Sequence, residues 1–303
     1  MCSRQVVLIR HGESRNNVLY AEIRAEFGLD VSPDVIEAEE SKRRSSDPGL
    51  SDRGMEQARR LGAFLQAKGG FDGALNPLGP KSSAAWQLYS SPMQRALLTS
   101  SEMLKAMVGE TTLMAARVHP ELYESGGCYE HGCGLPGSSK RDVEDRFPGF
   151  VCEQGMDQGW YHGRPKEETT EEFMARMDRL AAWVRAQRHN LVLVVHGNLM
   201  SGLLNRLVQS SAGNSSGNMG GLYMHFNTAF SHLQLFDEEI SPLQRVPIVA
   251  IQGINRVDHL VVSDALLSGS HVHDDHWVQE YTPLLRVWKD KRSLPTALGI
   301  SDL

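Results

Sequence analysis

The sequence predicts an α/β fold, and three features carry that expectation. Val6-Val7-Leu8-Ile9 and Leu191-Val192-Leu193-Val194-Val195 are unbroken apolar runs of strand length, as expected for strands buried on both faces. Other segments carry apolar residues at helical spacing, as in Phe173, Met177, Leu180 and Val184. Long buried strands alternating with amphipathic helices give α/β architecture. The third feature lies just past the two strongest strands: Arg10-His11-Gly12 after one, His196-Gly197-Asn198 after the other. Open α/β sheets place their ligands in the loops at the carboxyl ends of their strands.

Composition narrows the class. A chain of 303 residues can bury a full core, as one large domain or as one domain with an appendage. With 41% hydrophobic and 22% charged residues it is ordinary for a globular protein. A net charge of −6 offers no basic footprint, so no nucleic acid partner is expected. No apolar run approaches the length of a membrane span, and the amino terminus lacks the layout of a signal peptide. No membrane association is expected. Cys2, Cys128, Cys133 and Cys152 are too few for a disulfide framework, which points to a reduced, soluble, cytoplasmic protein.

Each element can then be taken in order. Arg10 beside His11 at a strand end puts a cation next to an imidazole, an anion site in which histidine can be the nucleophile. For the dipeptide alone, a solvated strand end is the favoured reading. Residues 18–47 read as an insertion with few apolar anchors, holding Glu37-Ala38-Glu39-Glu40 and then Lys42-Arg43-Arg44. Solvated surface or mobile loop is the expectation there. The sharper alternative is that Arg43 or Arg44 folds over the site to hold a second anionic group of a substrate. Asp47-Pro48-Gly49-Leu50 is turn chemistry before a helix with Ser51 as N-cap and Met55, Ala58, Leu61 and Leu65 facing inward. A Gly/Pro-rich loop at 69–80 closes that unit.

Leu88-Tyr89-Ser90 predicts another strand, followed by a helix with Ser91 as N-cap and Pro92 at its first position. Arg95 then lies in a first turn, where free N–H groups favour anions. Val118 ends a strand that leads to Glu121 and Glu124. Residues 125–168 are glycine-rich and read as an extended lid or specificity loop. Within them, Cys128, His131 and Cys133, with Cys152 beyond, fall short of the paired-cysteine spacing of structural zinc sites. No metal is expected there. Thr169-Thr170-Glu171-Glu172 is a capping box opening a helix. After the 191–195 strand, a helix runs through Leu199, Leu203 and Leu207.

Ser210 to Gly221 reads as a mobile Gly/Ser/Asn loop, Phe226 to Phe236 as strands around a turn, and Val246 to Asn255 as a strand. Residues 263–303 form a C-terminal extension beyond a domain at 1–262. Its His271-Val272-His273-Asp274-Asp275-His276 has usable metal ligands, though solvated tail histidines are favoured. Trp277, Tyr281, Leu284 and Trp288 follow helical spacing, interrupted by Pro283.

Taken together, Arg10-His11-Gly12-Glu13 with Asn17, Leu50-Ser51-Asp52-Arg53-Gly54 running to Gln57-Ala58, Ser91-Pro92-Met93-Gln94-Arg95-Ala96, Leu122-Tyr123-Glu124, His196-Gly197 and Asn255 to Leu260 resemble the histidine phosphatase superfamily. That is the branch with the Arg-His-Gly motif, which includes cofactor-dependent phosphoglycerate mutases and many small phosphatases. The resemblance covers residues 5–262. It implies a three-layer α/β/α sandwich with a mostly parallel central sheet. It also implies that Arg10, Arg95 and His196 grip a phosphate, that His11 is the nucleophile, and that Glu124 is the proton donor, with Glu121 as the fallback. Gly12, Glu13, Asn17 and Gly197 are implied as supporting contacts to substrate.

On that resemblance the expected activity is a metal-independent, cofactor-free phosphatase acting through a phosphohistidine. The substrate would be a small phosphorylated molecule or a phosphoprotein. A phosphoglycerate mutase and a non-catalytic phospho-ligand-binding protein are the alternatives. The family's mutases carry Glu-Arg-His-Tyr-Gly after the acid and paired arginines in the next loop. Here Ser125-Gly126-Gly127-Cys128-Tyr129-Glu130-His131 is small and acidic, with Lys140-Arg141 as a partial replacement. An open, glycine-rich lid would let water reach the intermediate. The sequence does not fix the substrate or the oligomeric state.

Overall fold

The structure, a computed structural model, describes residues 3–28, 31–75, 84–108, 116–209, 223–241 and 244–260. Its elements run β1 (Ser3–Arg10), α1 (Arg15–Phe27), α2 (Pro33–Arg43), α3 (Asp52–Ala67), α4 (Gly70–Leu75), β2 (Trp86–Ser90), α5 (Gln94–Val108) and β3 (Ala116–Val118). They continue with β4 (Tyr129–Glu130), β5 (Cys133–Gly134), α6 (Lys140–Arg146), β6 (Phe150–Cys152), α7 (Thr170–Ala186), β7 (Asn190–Val195), α8 (Gly197–Gln209), β8 (Phe230–Ser241) and β9 (Gln244–Arg256).

Seven strands form one sheet in the order β6-β3-β2-β7-β1-β8-β9. The five strands from β6 to β1 are parallel, and β8 and β9 add an antiparallel edge. Alternation along the strands divides the core in two, because successive side chains leave opposite faces. Val6, Leu8, Leu191, Leu193 and Val195 pack with Met177 and Leu180 of α7 and Leu199 and Leu203 of α8. Val7, Ile9, Val192 and Val194 pack with Leu61 and Leu65 of α3 and Met103 and Leu104 of α5. The fold is therefore a three-layer α/β/α sandwich around a mostly parallel sheet. Its carboxyl edge gathers the ends of β1, β2, β3 and β7.

Three expectations need correction. Residues 18–47 are not a loop: most of them lie in α1 and α2. α1 is started by a capping box, in which Ser14 Oγ accepts from the N–H of Asn17 and Asn17 Oδ1 accepts from the N–H of Ser14. Ile23 and Ile36 are the buried anchors, too few to show as a periodic stripe. Residues 125–168 are not an open lid either. The β4–β5 hairpin, α6 and the edge strand β6 bury Cys128, Val143, Phe147, Phe150, Met156, Trp160 and Tyr161 in the main core. The 69–80 loop begins as the short helix α4, whose Phe71 and Ala74 are buried.

Finer differences concern starts and ends. Helix α5 begins at Gln94, three residues after Ser91, so Ser91 is not its N-cap, although Arg95 still sits in the first turn. Phe226 to Phe236 is a turn followed by the single strand β8. The loop expected at 210–221 and the extension at 263–303, including the His271 cluster, lie outside the described residues. No helix among the described residues is long and apolar enough to cross a membrane.

Candidate active site

The site begins where β1 stops. His11 leaves the strand with its N–H on the carbonyl of Val195, the last residue of β7. Its own carbonyl accepts from Asn227 Nδ2 at 3.0 Å and from the N–H of Thr228 at 3.2 Å. The loop before β8 thus fixes the backbone of the β1 end, with Thr228 in the left-handed region at φ 58°. Sequence reasoning misses Asn227 and Thr228. The only local cue is an Asn-Thr pair just before a strand, which marks a turn and nothing more.

The His11 ring is set by two contacts. Nδ1 lies 2.6 Å from the carbonyl of Gly12, a pure acceptor, so Nδ1 carries the proton. Nε2 therefore presents a lone pair, and Arg95 donates to it from Nε at 3.2 Å. Burial, then Arg95 and Arg10, drive the pKa of His11 well below its usual value, so the ring stays neutral.

Gly12 and Glu13 tie the loop to its neighbours. The Gly12 N–H donates to Thr99 Oγ1, which in turn donates to the carbonyl of Arg95. Glu13 accepts from Ser51 Oγ at 2.6 Å and pairs with Arg53 at 3.4 Å, tying the motif to the start of α3. A Cβ on Gly54 would stand 2.1 Å from the Glu13 carbonyl oxygen, and one on Gly12 would stand 2.5 Å from that of Gly54. Only two glycines let these backbones approach so closely. The Asn17 side chain is likewise engaged in the α1 capping box.

Around His11 stand the other predicted residues. Arg10 is buried and donates from Nη1 to the carbonyl of His225 at 2.5 Å. Burial, with Arg95 adding to it, lowers its pKa to about 10, while Glu124 opposes the shift. It remains a cation at neutral pH. His196, just past the end of β7, lies 5.1 Å from His11 between ring centroids, and its Nε2 is 2.7 Å from Ser91 Oγ. Burial, then the field of Arg95, also keeps His196 neutral. Gly197 opens α8 against Arg10, where an added Cβ would meet Nε at 3.6 Å.

The two carboxylates separate. Glu124 reaches the amino end of α8, where its Oε1 accepts from the N–H of Leu199 at 3.0 Å and Oε2 from that of Asn198 at 3.2 Å. Its charge is felt at both Arg10 and Arg95. Glu121 points away and forms an ion pair with Arg179 on α7 at 2.6 Å. A further carboxylate, Asp47, accepts from the N–H of Gln94 at 2.9 Å and stands beside Arg95. Burial pushes its pKa up to about 6, against the pull of Arg95. The Asp-Pro turn gives no sign of this position.

Arg44 stacks on the Tyr129 ring at 4.3 Å and adds positive potential at Arg95, whereas Arg43 pairs with Glu26 on the surface. Cys128 is buried and Cys133 exposed, so the two thiols face different surroundings. Two guanidiniums and two neutral imidazoles thus converge at one strand edge. Such a donor set suits a dianion and repels a metal cation.

A family model described as the histidine phosphatase superfamily, branch 1, matches residues 6–243. No curated protein matches the sequence. Among solved structures, the ecdysone phosphate phosphatase of Bombix mori with tungstate is 18% identical, with 76% of this chain and 88% of that chain covered and a TM-score of 0.47. A phosphoserine phosphatase variant of Entamoeba histolytica with phosphoserine is 15% identical, covering 85% and 99%, at 0.42. A phosphoglycerate mutase of Bacillus anthracis str. Sterne is 14% identical, covering 86% and 96%, at 0.43.

Proposed function

The chain belongs to the histidine phosphatase superfamily, branch 1, and from that premise we propose that it hydrolyses a phosphate monoester through a phosphohistidine on His11. The observation that carries the reading is the His11 tautomer. With Nδ1–H committed to the Gly12 carbonyl, the lone pair of Nε2 faces the cationic edge. An incoming phosphate draws the Arg95 guanidinium from Nε2 onto its own oxygens. Arg10 and His196 share the remaining charge, as fixed donors do for phosphoryl oxygens.

Nε2 then attacks phosphorus in line, the P–O bond to the alcohol breaks, and Glu124 delivers a proton to the leaving oxygen. In the second half, Glu124 takes a proton from water as the water oxygen attacks phosphorus. Phosphate leaves and neutral His11 is restored. The cationic side chains supply the charge compensation that a metal gives elsewhere, so the reaction is metal-independent and needs no cofactor. The substrate is a small phosphorylated molecule or a phosphoprotein.

The test is direct. His11→Ala should remain folded and lose hydrolysis of nitrophenyl phosphate by at least about 1000-fold, as expected when a nucleophile is removed. Rapid quench of wild-type enzyme with labelled substrate should place an acid-labile phosphate on His11, in the presence of EDTA. Full activity in His11→Ala would overturn the mechanism.

A further inference from the structure

Glu124 sits in a loop, yet its carboxylate must meet the leaving oxygen of a substrate held by three other elements. What fixes that loop lies behind it, on α7. Arg176 is fully buried, and Glu168, just ahead of the helix, binds it in a two-point ion pair, Nε to Oε1 at 2.8 Å and Nη2 to Oε2 at 2.6 Å. The remaining Nη1 donates to two backbone carbonyls, those of Glu121 and Tyr123, both at 2.8 Å. The Tyr123 ring lies under the guanidinium at 3.7 Å, and its hydroxyl donates to Glu168 Oε1 at 3.0 Å. The Glu168 N–H closes the far side on the carbonyl of Gly126.

A buried ion pair of this kind is a poor source of stability, because desolvation offsets most of the attraction. Its geometry has another consequence. Residues 121–126 are tied at three backbone carbonyls to one rigid pair, and Glu124 stands between the second and third of them. We propose that Arg176, held by Glu168, is a positioning residue that sets Glu124 for proton transfer. Arg176 acts from behind the loop, through the backbone, while the amino end of α8 holds the carboxylate in front.

The inference rests on the phosphatase reading, and the experiment separates the two. Wild-type hydrolysis of nitrophenyl phosphate tests that reading, since its leaving group hardly needs a proton. The tether is tested by how variants treat an alkyl phosphate such as glycerol 2-phosphate relative to nitrophenyl phosphate. Arg176→Lys keeps the charge but loses the fork, and should slow kcat for the alkyl ester by about 10- to 100-fold, part of what general acid catalysis supplies. The same variant should stay within about 3-fold of wild type on nitrophenyl phosphate. Tyr123→Phe, which removes only a hydroxyl, should show the same split at about 2- to 5-fold, and covers the case in which Arg176→Lys does not fold. In a Glu124→Gln background, neither change should add a further loss on the alkyl ester. Equal losses on both esters, or losses that add to Glu124→Gln, would overturn the proposal.

Discussion

Arg95 donates from Nε to Nε2 of His11 across 3.2 Å, so the nitrogen with the lone pair is already paired with a cation. The contact explains two properties of the site. It holds the ring in one orientation, and it adds to burial in keeping a proton off the proposed nucleophile, because a second positive charge beside Arg95 and Arg10 is unfavourable. Asp47, beside Arg95, offsets part of that positive charge.

The same burial has a consequence for stability. The pKa values of His119, His225, His232 and His259 are each lowered to about 4, with desolvation as the largest cause, and those of His11 and His196 fall well below normal. Below pH 6.5 the unfolded chain gains protons at these positions that the folded chain refuses. Each such proton costs folding about 1.4 kcal/mol per pH unit. Asp47 acts the other way, because its carboxyl, raised to about 6, holds a proton in the fold that the unfolded chain has released. His189 is lowered as well, and Glu40 and Glu153 are raised like Asp47, so seven histidines oppose three carboxyls and stability should fall from pH 6.5 to 4. Thermal melting across that range checks it, and a flat or rising melting temperature would contradict the burial of these rings.

Glu124 and Glu121 should behave differently under the same substitution. Glu124→Gln removes the proposed proton donor and should slow hydrolysis of alkyl phosphates by about 100-fold or more while sparing nitrophenyl phosphate. Glu121→Gln only weakens a solvent-exposed pair with Arg179, and such pairs contribute about 0–1 kcal/mol. Steady-state kinetics on the two esters decides, and a larger effect at Glu121 would reverse the assignment.

The close approach of Gly12 and Gly54 gives a third expectation. Gly54→Ala puts a methyl 2.1 Å from the Glu13 carbonyl oxygen, a backbone atom that cannot turn aside. The helix or the His11 loop must shift, at a cost of about 1–3 kcal/mol. Activity should fall with stability, because the displaced loop carries the proposed nucleophile. Gly28→Ala is the control, since φ is +88° but nothing lies within 4 Å. It should cost about 1 kcal/mol and leave turnover intact. Denaturant unfolding and kcat on both variants provide the comparison.

What could be read from the sequence depended on periodicity. β1 and β7 announce themselves as unbroken apolar runs, and α3, α7 and α8 by buried residues that repeat at the helical period. α1 and α2 do not, since Ile23 and Ile36 are their buried apolar anchors, and a side-chain cap starts α1 but not α2. Residues 125–168 escaped for the opposite reason. Phe147, Met156, Trp160 and Tyr161 are deeply buried, but loop geometry sets their spacing and glycines dominate the composition. In the site, His11, Arg10, Arg95 and His196 stand at element ends, where a pattern points. Asn227 and Thr228 act through contacts more than 200 residues away in sequence, and Arg176 has the pattern of any other polar residue on an amphipathic helix.

The remaining question is whether the phosphoryl group goes to water or back to a bound product. A mutase must exclude water and hold a substrate that carries a second anion. The packed 125–168 segment removes one argument for hydrolysis, because a buried aromatic wall replaces the expected open lid. The charges supply another. Lys140 and Arg141, the replacements for a mutase's paired arginines, face Glu144 and Asp145 of their own helix. Arg44, stacked on Tyr129 and adding positive potential at Arg95, is the cation we propose for a second anion, and Glu40 next to it offsets part of its charge. One such contact can favour a phosphorylated acid as substrate, but it does not rebuild the paired cationic pocket a returning product needs. With 3-phosphoglycerate and catalytic bisphosphoglycerate, phosphate should therefore appear faster than 2-phosphoglycerate. Arg44→Gln should raise KM for 3-phosphoglycerate by about 10-fold, one charge-assisted hydrogen bond, and leave nitrophenyl phosphate within about 2-fold. Isomer accumulating ahead of phosphate in the wild-type enzyme would make it a mutase.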